Sequence, residues 1–361
     1  MSPMIGARTG IGSAVGYLLD ALQELPGPPE LHPYVLSFRA RLPPGTVRLR
    51  YPAALALRCW ARADVPDATR ALGHPAVVHG TNYVVPPARC ARLVSVYDCW
   101  FLRHPDQVHP HVARAGEVLR RAVRRGAVVH VSSDATAAEV TDLLAADRVE
   151  VIPLGAIPAV AAPSVAPALL GERLDGRPYV LALGTVEQRK NLHRLVESFG
   201  RLHPVQPSLV LVIAGGDGNA GEDLSASIDR LSPGAAANVV RLGRVDEPTK
   251  SWLLHHATVL AYPSLDEGFG FPLLEAMAAD VPVVASTAGS IPEVAGAAAV
   301  LVDALDVDAL ADALDRVITD DSLRARLKSA GRARIAHYSW RTTAERMADL
   351  YASLAMEAPA E

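Results

Sequence analysis

The stretch Ala261-Tyr-Pro-Ser-Leu-Asp-Glu267-Gly268-Phe269-Gly270-Phe271-Pro272-Leu-Leu-Glu275-Ala-Met277 decides how the whole chain is read. The short apolar run Val259–Tyr262 reads as a strand. A glycine-bearing loop follows, and Pro272 opens a helix over Pro272–Ala279, because its fixed φ suits a first helical position. A helix start offers N–H groups and a positive dipole end, which suit a diphosphate. Gly268 and Gly270 let a ligand approach the backbone closely. Glu267 stands on the loop and Glu275 one turn into the helix. Carboxylates there can accept hydrogen bonds from sugar or ribose hydroxyls. The plainer alternative is a solvated Glu267 and a Glu275 that only complements the helix dipole.

The same alternation runs outward in both directions. Apolar strands are expected at Ala76–His79, Leu93–Tyr97, Ala127–Ser132 and Val149–Pro153 in the first half. In the second half they are expected at Tyr179–Gly184, Leu209–Ala214, Val239–Leu242, Val259–Tyr262, Val281–Ala285 and Val300–Val302. Helical segments lie between them, for example Ser13–Leu25, Val112–Arg125, Ala135–Leu144, Leu192–Leu202 and Lys250–His256. Continuous apolar strands alternating with helices indicate parallel sheets covered on both faces, an α/β protein. The Ala- and Pro-rich segment 155–177 has no clean period and reads as a connection between two α/β halves. The expected domains are 1–160 and 175–338, with a last helix over 340–356. In open parallel sheets ligands bind at the carboxyl ends of the strands, so the loops there carry the functional reading.

The chain has 361 residues, enough for two domains, with 50% hydrophobic and 20% charged residues. Its formal charge of -4 disfavours a nucleic-acid binder. Cys59, Cys90 and Cys99 show neither disulfide nor metal-ligand spacing, so reduced thiols and a cytoplasmic setting are expected. The first residues carry no signal-peptide pattern, and no apolar run reaches the length of a membrane span. Only Lys190, Lys250 and Lys328 are lysines among 35 basic residues, which makes each lysine worth examining.

Arg189 and Lys190 follow the strand that ends near Gly184. Two cations on such a loop can neutralise a leaving diphosphate; an ordinary basic helix start is the alternative. Gly10-Ile-Gly12 heads a helix, but its spacing to Gly16 is not that of a dinucleotide site, and no strand precedes it. Asp306-Val-Asp308 is explained by an N-cap. Arg120, Arg121, Arg124 and Arg125 share one helical segment. They read as a solvated face, with an anionic membrane surface or lipid diphosphate as the other option.

Glu267 and Glu275 are separated by seven residues within EGFGFPLLEAMA. This resembles the E-x7-E signature of retaining glycosyltransferases of family 4, which have the GT-B fold. Pro282–Gly296 (PVVASTAGSIPEVAG) and Leu183–Leu192 (LGTVEQRKNL) are similar to the same family. Arg8–Gly12, His79–Tyr83 and Val131–Ser133 resemble it more loosely. The resemblance implies two Rossmann-like domains facing each other across a cleft, with the last helix crossing back onto the first domain.

It also implies a retaining, metal-independent hexosyltransferase with no cofactor. The donor would be a nucleotide-diphosphate sugar, with guanosine-diphosphate mannose as the lean, and the acceptor the hydroxyl of a sugar, a glycolipid or a small molecule. Lys190 would contact the diphosphate. Many members carry an Arg at the position of Thr185, and Arg189 is the candidate for that charge here. Glu267 would hold sugar hydroxyls and Glu275 the ribose. Gly10, Gly12, Gly184, Arg244, Val245, Gly268, Phe269, Gly270 and Leu274 would line the donor. Asp98 matches a family His-Asp pair in which Tyr97 replaces the His. His79, Asn82 and Tyr97 would face the acceptor, a satisfied structural His79 being the alternative. A strand expected before the glycine loop looks shortened. A cytoplasmic enzyme is implied, with peripheral contact at the inner face of the membrane as an option. An epimerase of the same architecture and a non-catalytic sugar-nucleotide binder remain open.

Overall fold

The computed structural model describes residues 10–357, except 38–41, 43, 159–160, 162–169, 171–173 and 175. Arg8, Thr9, the strand expected before the glycine loop and most of the expected connection at 155–177 lie outside the described residues. The chain divides into two compact units, Met1–Gly155 with Tyr338–Glu361, and Ala156–His337.

The first unit is built on a parallel sheet in the order β3-β4-β5-β6, formed by Val77–Gly80, Ala91–Val96, Val128–Val131 and Val149–Val151. A separate parallel pair, β1 (Tyr34–Leu36) and β2 (Val47–Leu49), was not expected. Each spans only three residues, and Arg48 breaks the apolar run of β2. The helix Gly10–Gln23 begins three residues earlier than expected, so Gly10 and Gly12 sit inside its first turn rather than in a loop before it. The last helix, Trp340–Glu357, belongs to this unit. Its Ala344, Met347, Leu350 and Leu354 pack with Leu18, Leu22, Leu93, Val128 and Ile152 in one buried cluster. Trp340 lies directly on Gly155, where any Cβ would collide with its ring.

The second unit is a six-stranded parallel sheet in the order β12-β11-β10-β7-β8-β9. Its strands are β7 (Tyr179–Leu183), β8 (Val210–Ala214), β9 (Val239–Gly243), β10 (Val259–Tyr262), β11 (Val283–Ser286) and β12 (Ala299–Val302). β7, β8, β10 and β11 are buried at every position, so both faces are covered. That is why they read as unbroken apolar runs. Strand order reverses where β7 meets β10, with Val180 paired to Val259 and Leu181 to Leu260. Beyond their carboxyl ends lies the place where such a sheet binds ligands.

Candidate active site

β7 leaves the sheet through Gly184, whose φ of +133° favours glycine. The chain then makes a single turn, Gln188–Lys190, before the helix Leu192–Leu202. Lys190 therefore stands on that turn rather than in the helix. Asn191 between them is left-handed and fully buried, and its amide donates to the carbonyls of Pro263 (3.0 Å) and Ala304 (2.7 Å). This ties the β7 loop to the loop after β10. Gly215 ends β8 so close to β7 that a Cβ would run into the carbonyl of Gly184.

The two loops meet at Glu267. Its Oε1 lies 2.5 Å from Lys190 Nζ and its Oε2 2.6 Å from an Arg189 guanidinium nitrogen. The same Arg189 nitrogen donates to the carbonyl of Asp266 at 2.9 Å. Lys190 also donates to the Tyr262 hydroxyl at 3.0 Å, its ammonium 4.8 Å from the ring centroid. Only 7% of the Glu267 side chain is exposed, 11% of Lys190 and 15% of Arg189, so the charges interact with little solvent between them. Burial alone would raise the Glu267 pKa, but Arg189 and then Lys190 hold it down to about 2. Burial lowers the Lys190 pKa against the pull of Glu267, with Arg189 adding to the lowering. Gly289, at φ +53°, lets the chain pass against the Glu267 backbone, where a Cβ would lie 2.6 Å from its carbonyl oxygen.

Gly268, Phe269 and Gly270 are buried in the turn that leads to the helix Phe271–Ala278. Gly270 takes φ +89° as its N-cap and Pro272 sits in the first turn. Glu275 lies on this helix, 2.7 Å from Lys250 Nζ. Leu274, expected to line the donor, has a fully buried side chain. At the end of β9, Arg244 is exposed and Val245 half-buried. The Arg244 guanidinium passes over Gly216, within 3.8 Å of where a Cβ would stand. Gly184, Arg189, Lys190, Arg244, Glu267 and Glu275 are thus carried by loops and a helix at the carboxyl ends of β7, β9 and β10. Tyr262, Lys250 and the close-approach glycines Gly215 and Gly289 escaped the sequence reading. The scarcity of lysine was the one signal that singled out Lys250.

The first unit holds the other expected residues. His79 Nδ1 is 2.8 Å from the Tyr351 hydroxyl, and its Nε2 is 2.8 Å from Ser95 Oγ. Ser95 Oγ is 2.8 Å from His130 Nδ1, and His130 Nε2 is 3.0 Å from the carbonyl of Ile152. A carbonyl only accepts, so His130 carries its proton on Nε2 and Nδ1 accepts from Ser95. Ser95 then accepts from His79 Nε2–H, and Tyr351 donates to His79 Nδ1. Every member of this chain is satisfied, which gives His79 a structural place linking β3 to the last helix. Burial pushes the Tyr97 phenol up to about 12. Asp98 accepts from the Tyr83 hydroxyl (3.1 Å) and the Trp100 backbone N–H (3.2 Å). Asn82 Oδ1 is buried without a hydrogen-bond partner.

Arg121 and Arg125 pair with Asp64. Asp306 caps the helix Val307–Thr319 through the Ala309 N–H. Among the described residues, no group of three or more His, Cys, Asp or Glu side chains is placed to hold a metal ion.

Residues 171–334 match the family described as Glycosyl transferases group 1. O-antigen chain mannosyltransferase B of Escherichia coli is 30% identical over 322 residues, 86% of this chain and 80% of that protein. The chain belongs to the group 1 glycosyl transferases. Phosphatidyl-myo-inositol mannosyltransferase of Mycobacterium tuberculosis is 34% identical to this glycosyltransferase over 195 residues, 51% of this chain and 50% of that one. Among solved structures, WaaG, a glycosyltransferase involved in lipopolysaccharide biosynthesis, superposes with a TM-score of 0.72 at 17% identity, covering 96% of this chain and 97% of the other. The fold of this glycosyltransferase is accordingly GT-B, an α/β architecture of two Rossmann-like units. No helix among its described residues is long and apolar enough to cross a membrane.

Proposed function

We propose that this glycosyltransferase moves a hexose, with retention of configuration, from a nucleotide-diphosphate sugar to a hydroxyl acceptor. The observation that carries the reading is the buried Arg189–Lys190–Glu267 cluster beyond the strand-order reversal of the second unit. The two cations there stabilise the charge that grows on a departing diphosphate, the task a divalent cation performs in other designs. No metal is needed on this reading, and the departing phosphate helps take the acceptor proton. Glu267 lies on the sugar side and Glu275 on the ribose. Asp98 belongs with the catalytic residues, and Asn82 and Tyr97 to the acceptor side. Guanosine-diphosphate mannose is the first donor to test, since the E. coli and M. tuberculosis relatives are named as mannosyltransferases. A glycolipid is the first acceptor class to test, since the M. tuberculosis relative is named for phosphatidyl-myo-inositol; contact with the inner face of the membrane belongs to the same proposal.

The test is a panel of nucleotide sugars with the purified protein. Nucleoside diphosphate release and the anomeric configuration of the product are both read. Release from one donor with retained configuration is expected, unchanged in excess chelator. Lys190→Ala should lower turnover by about a hundredfold, on the order of 3 kcal/mol of transition-state stabilisation. An isomerised donor, an inverted product or full activity in Lys190→Ala would each overturn the reading.

A further inference from the structure

Each glutamate of the E-x7-E pair has its own lysine, yet the two are held differently. Lys190 and Arg189 together occupy both oxygens of Glu267. Lys250 sits four residues into the helix Glu247–His256, directly after the Gly243–Asp246 loop. Its Nζ lies 2.7 Å from Glu275 Oε1 and 2.9 Å from Glu247 Oε2. Among the described residues no donor reaches Glu275 Oε2. One oxygen of this nearly buried carboxylate is therefore pinned and the other is left to accept. A lysine suits this place in a chain that otherwise uses arginine. Its compact ammonium points three donors in different directions and can serve two carboxylates on separate helices, where a planar fork favours one. Glu247 is largely exposed, so its share is small. The strong contact is the one that joins the helix after β9 to the helix after β10.

We propose that Lys250 is the positioning residue of Glu275. By holding Oε1 it turns Oε2 toward the ribose hydroxyls of the nucleotide and keeps the Gly243–Asp246 loop, with its expected donor-lining residues Arg244 and Val245, in register with them. This rests on the reading of Glu275 as the ribose acceptor. Lys250 itself touches neither sugar nor diphosphate.

The experiment is calorimetric titration of the full-length protein with bare guanosine and uridine diphosphates and with inorganic diphosphate, which has no ribose. Wild type is compared with Lys250→Met, Glu275→Gln and the double variant. Lys250→Met should weaken the better-binding nucleoside diphosphate on the order of tenfold, the worth of one oriented hydrogen bond. Inorganic diphosphate should bind it as it binds wild type. In turnover, KM for the donor should rise by the same factor while kcat stays within about twofold. The double variant should bind no more weakly than Glu275→Gln, because Lys250 acts only through that carboxylate. Lys250→Gln keeps a donor without the charge and should fall between wild type and Lys250→Met, which serves if the Met variant folds poorly. If Glu275→Gln weakens binding and Lys250→Met does not, the positioning role is wrong and the ribose reading stands. If neither weakens binding, the ribose reading itself fails. Additive losses, or an equal loss with inorganic diphosphate, would show that Lys250 acts on something other than Glu275 and overturn the proposal.

Discussion

Glu267 meets two cations in a nearly dry setting. A diphosphate that reaches Lys190 and Arg189 must share them with this carboxylate, since like charges repel at short range. Glu267→Gln therefore has two opposite consequences. The free protein loses the counter-charge of a buried pair, which typically costs about 3–5 kcal/mol. The two cations become more available to a bound diphosphate, so nucleoside diphosphate should bind at least as tightly as in wild type while turnover falls. Because the ligand restores the missing charge, its addition should raise the melting temperature of Glu267→Gln more than that of wild type. Melting curves with and without guanosine diphosphate check this. A smaller rise in the variant would mean that Glu267 orients the cations for the ligand rather than competing with it.

The helix Trp340–Glu357 is the last in the chain, yet it builds the first unit. Met347 is fully buried against residues from the first helix and from β4, β5 and the end of β6. Met347→Ala leaves a cavity worth about 2–5 kcal/mol. Backbone amides of β4 and β5 should exchange faster in that variant, while those of β7, β8 and β10 keep wild-type rates. Hydrogen exchange resolved by segment reads both at once, and equal acceleration in the two units would contradict the division. The helical period of this segment was legible in the sequence. Its partners were not, because Leu18, Leu93 and Ile152 lie far from it along the chain, and a buried stripe looks the same whatever covers it.

The two units also carry different buried titratable groups, and acid should separate them. In the first, burial lowers the His79 pKa well below its ordinary value and brings His130 to about 4, with Arg346 adding to the His130 shift and His130 to that of His79. A histidine pKa depressed by folding contributes stability above its unfolded value near 6.5. That stability is lost as pH falls toward the folded value. In the second unit Glu267, held to about 2, loses its contribution only below its unfolded value near 4.5. His193 there is shifted in the same direction as the other histidines but is only partly covered, so its effect is smaller. Between pH 7.5 and 5 the first unit should therefore weaken more, His130 contributing about 1.4 kcal/mol for each pH unit below 6.5 and His79 acting in the same direction. Trp60, Trp100 and Trp340 report on it, and Trp252 on the other unit. Urea unfolding of Trp252→Phe followed by fluorescence should show a midpoint that falls across this range. A flat midpoint would mean that the two imidazoles charge without cost.

Several properties followed from neighbouring residues alone. The strand–loop–helix around Glu267 and Glu275 was readable because Gly270 permits its left-handed turn, Pro272 suits a first helical turn, and β10 is apolar enough to be covered on both faces. The alternation of such units along the chain settled the α/β class for the same local reason. Which charges meet was decided only in three dimensions. Lys190 and Glu267 are 77 residues apart, and they touch because β7 and β10 are adjacent in the sheet. His79 and Tyr351 are 272 residues apart, and they touch because the last helix returns to the first unit. Local pattern specifies what a segment becomes. Ion pairs and buried networks depend on strand order and chain return, which are set by the packing of the whole core and leave no periodic trace at either partner.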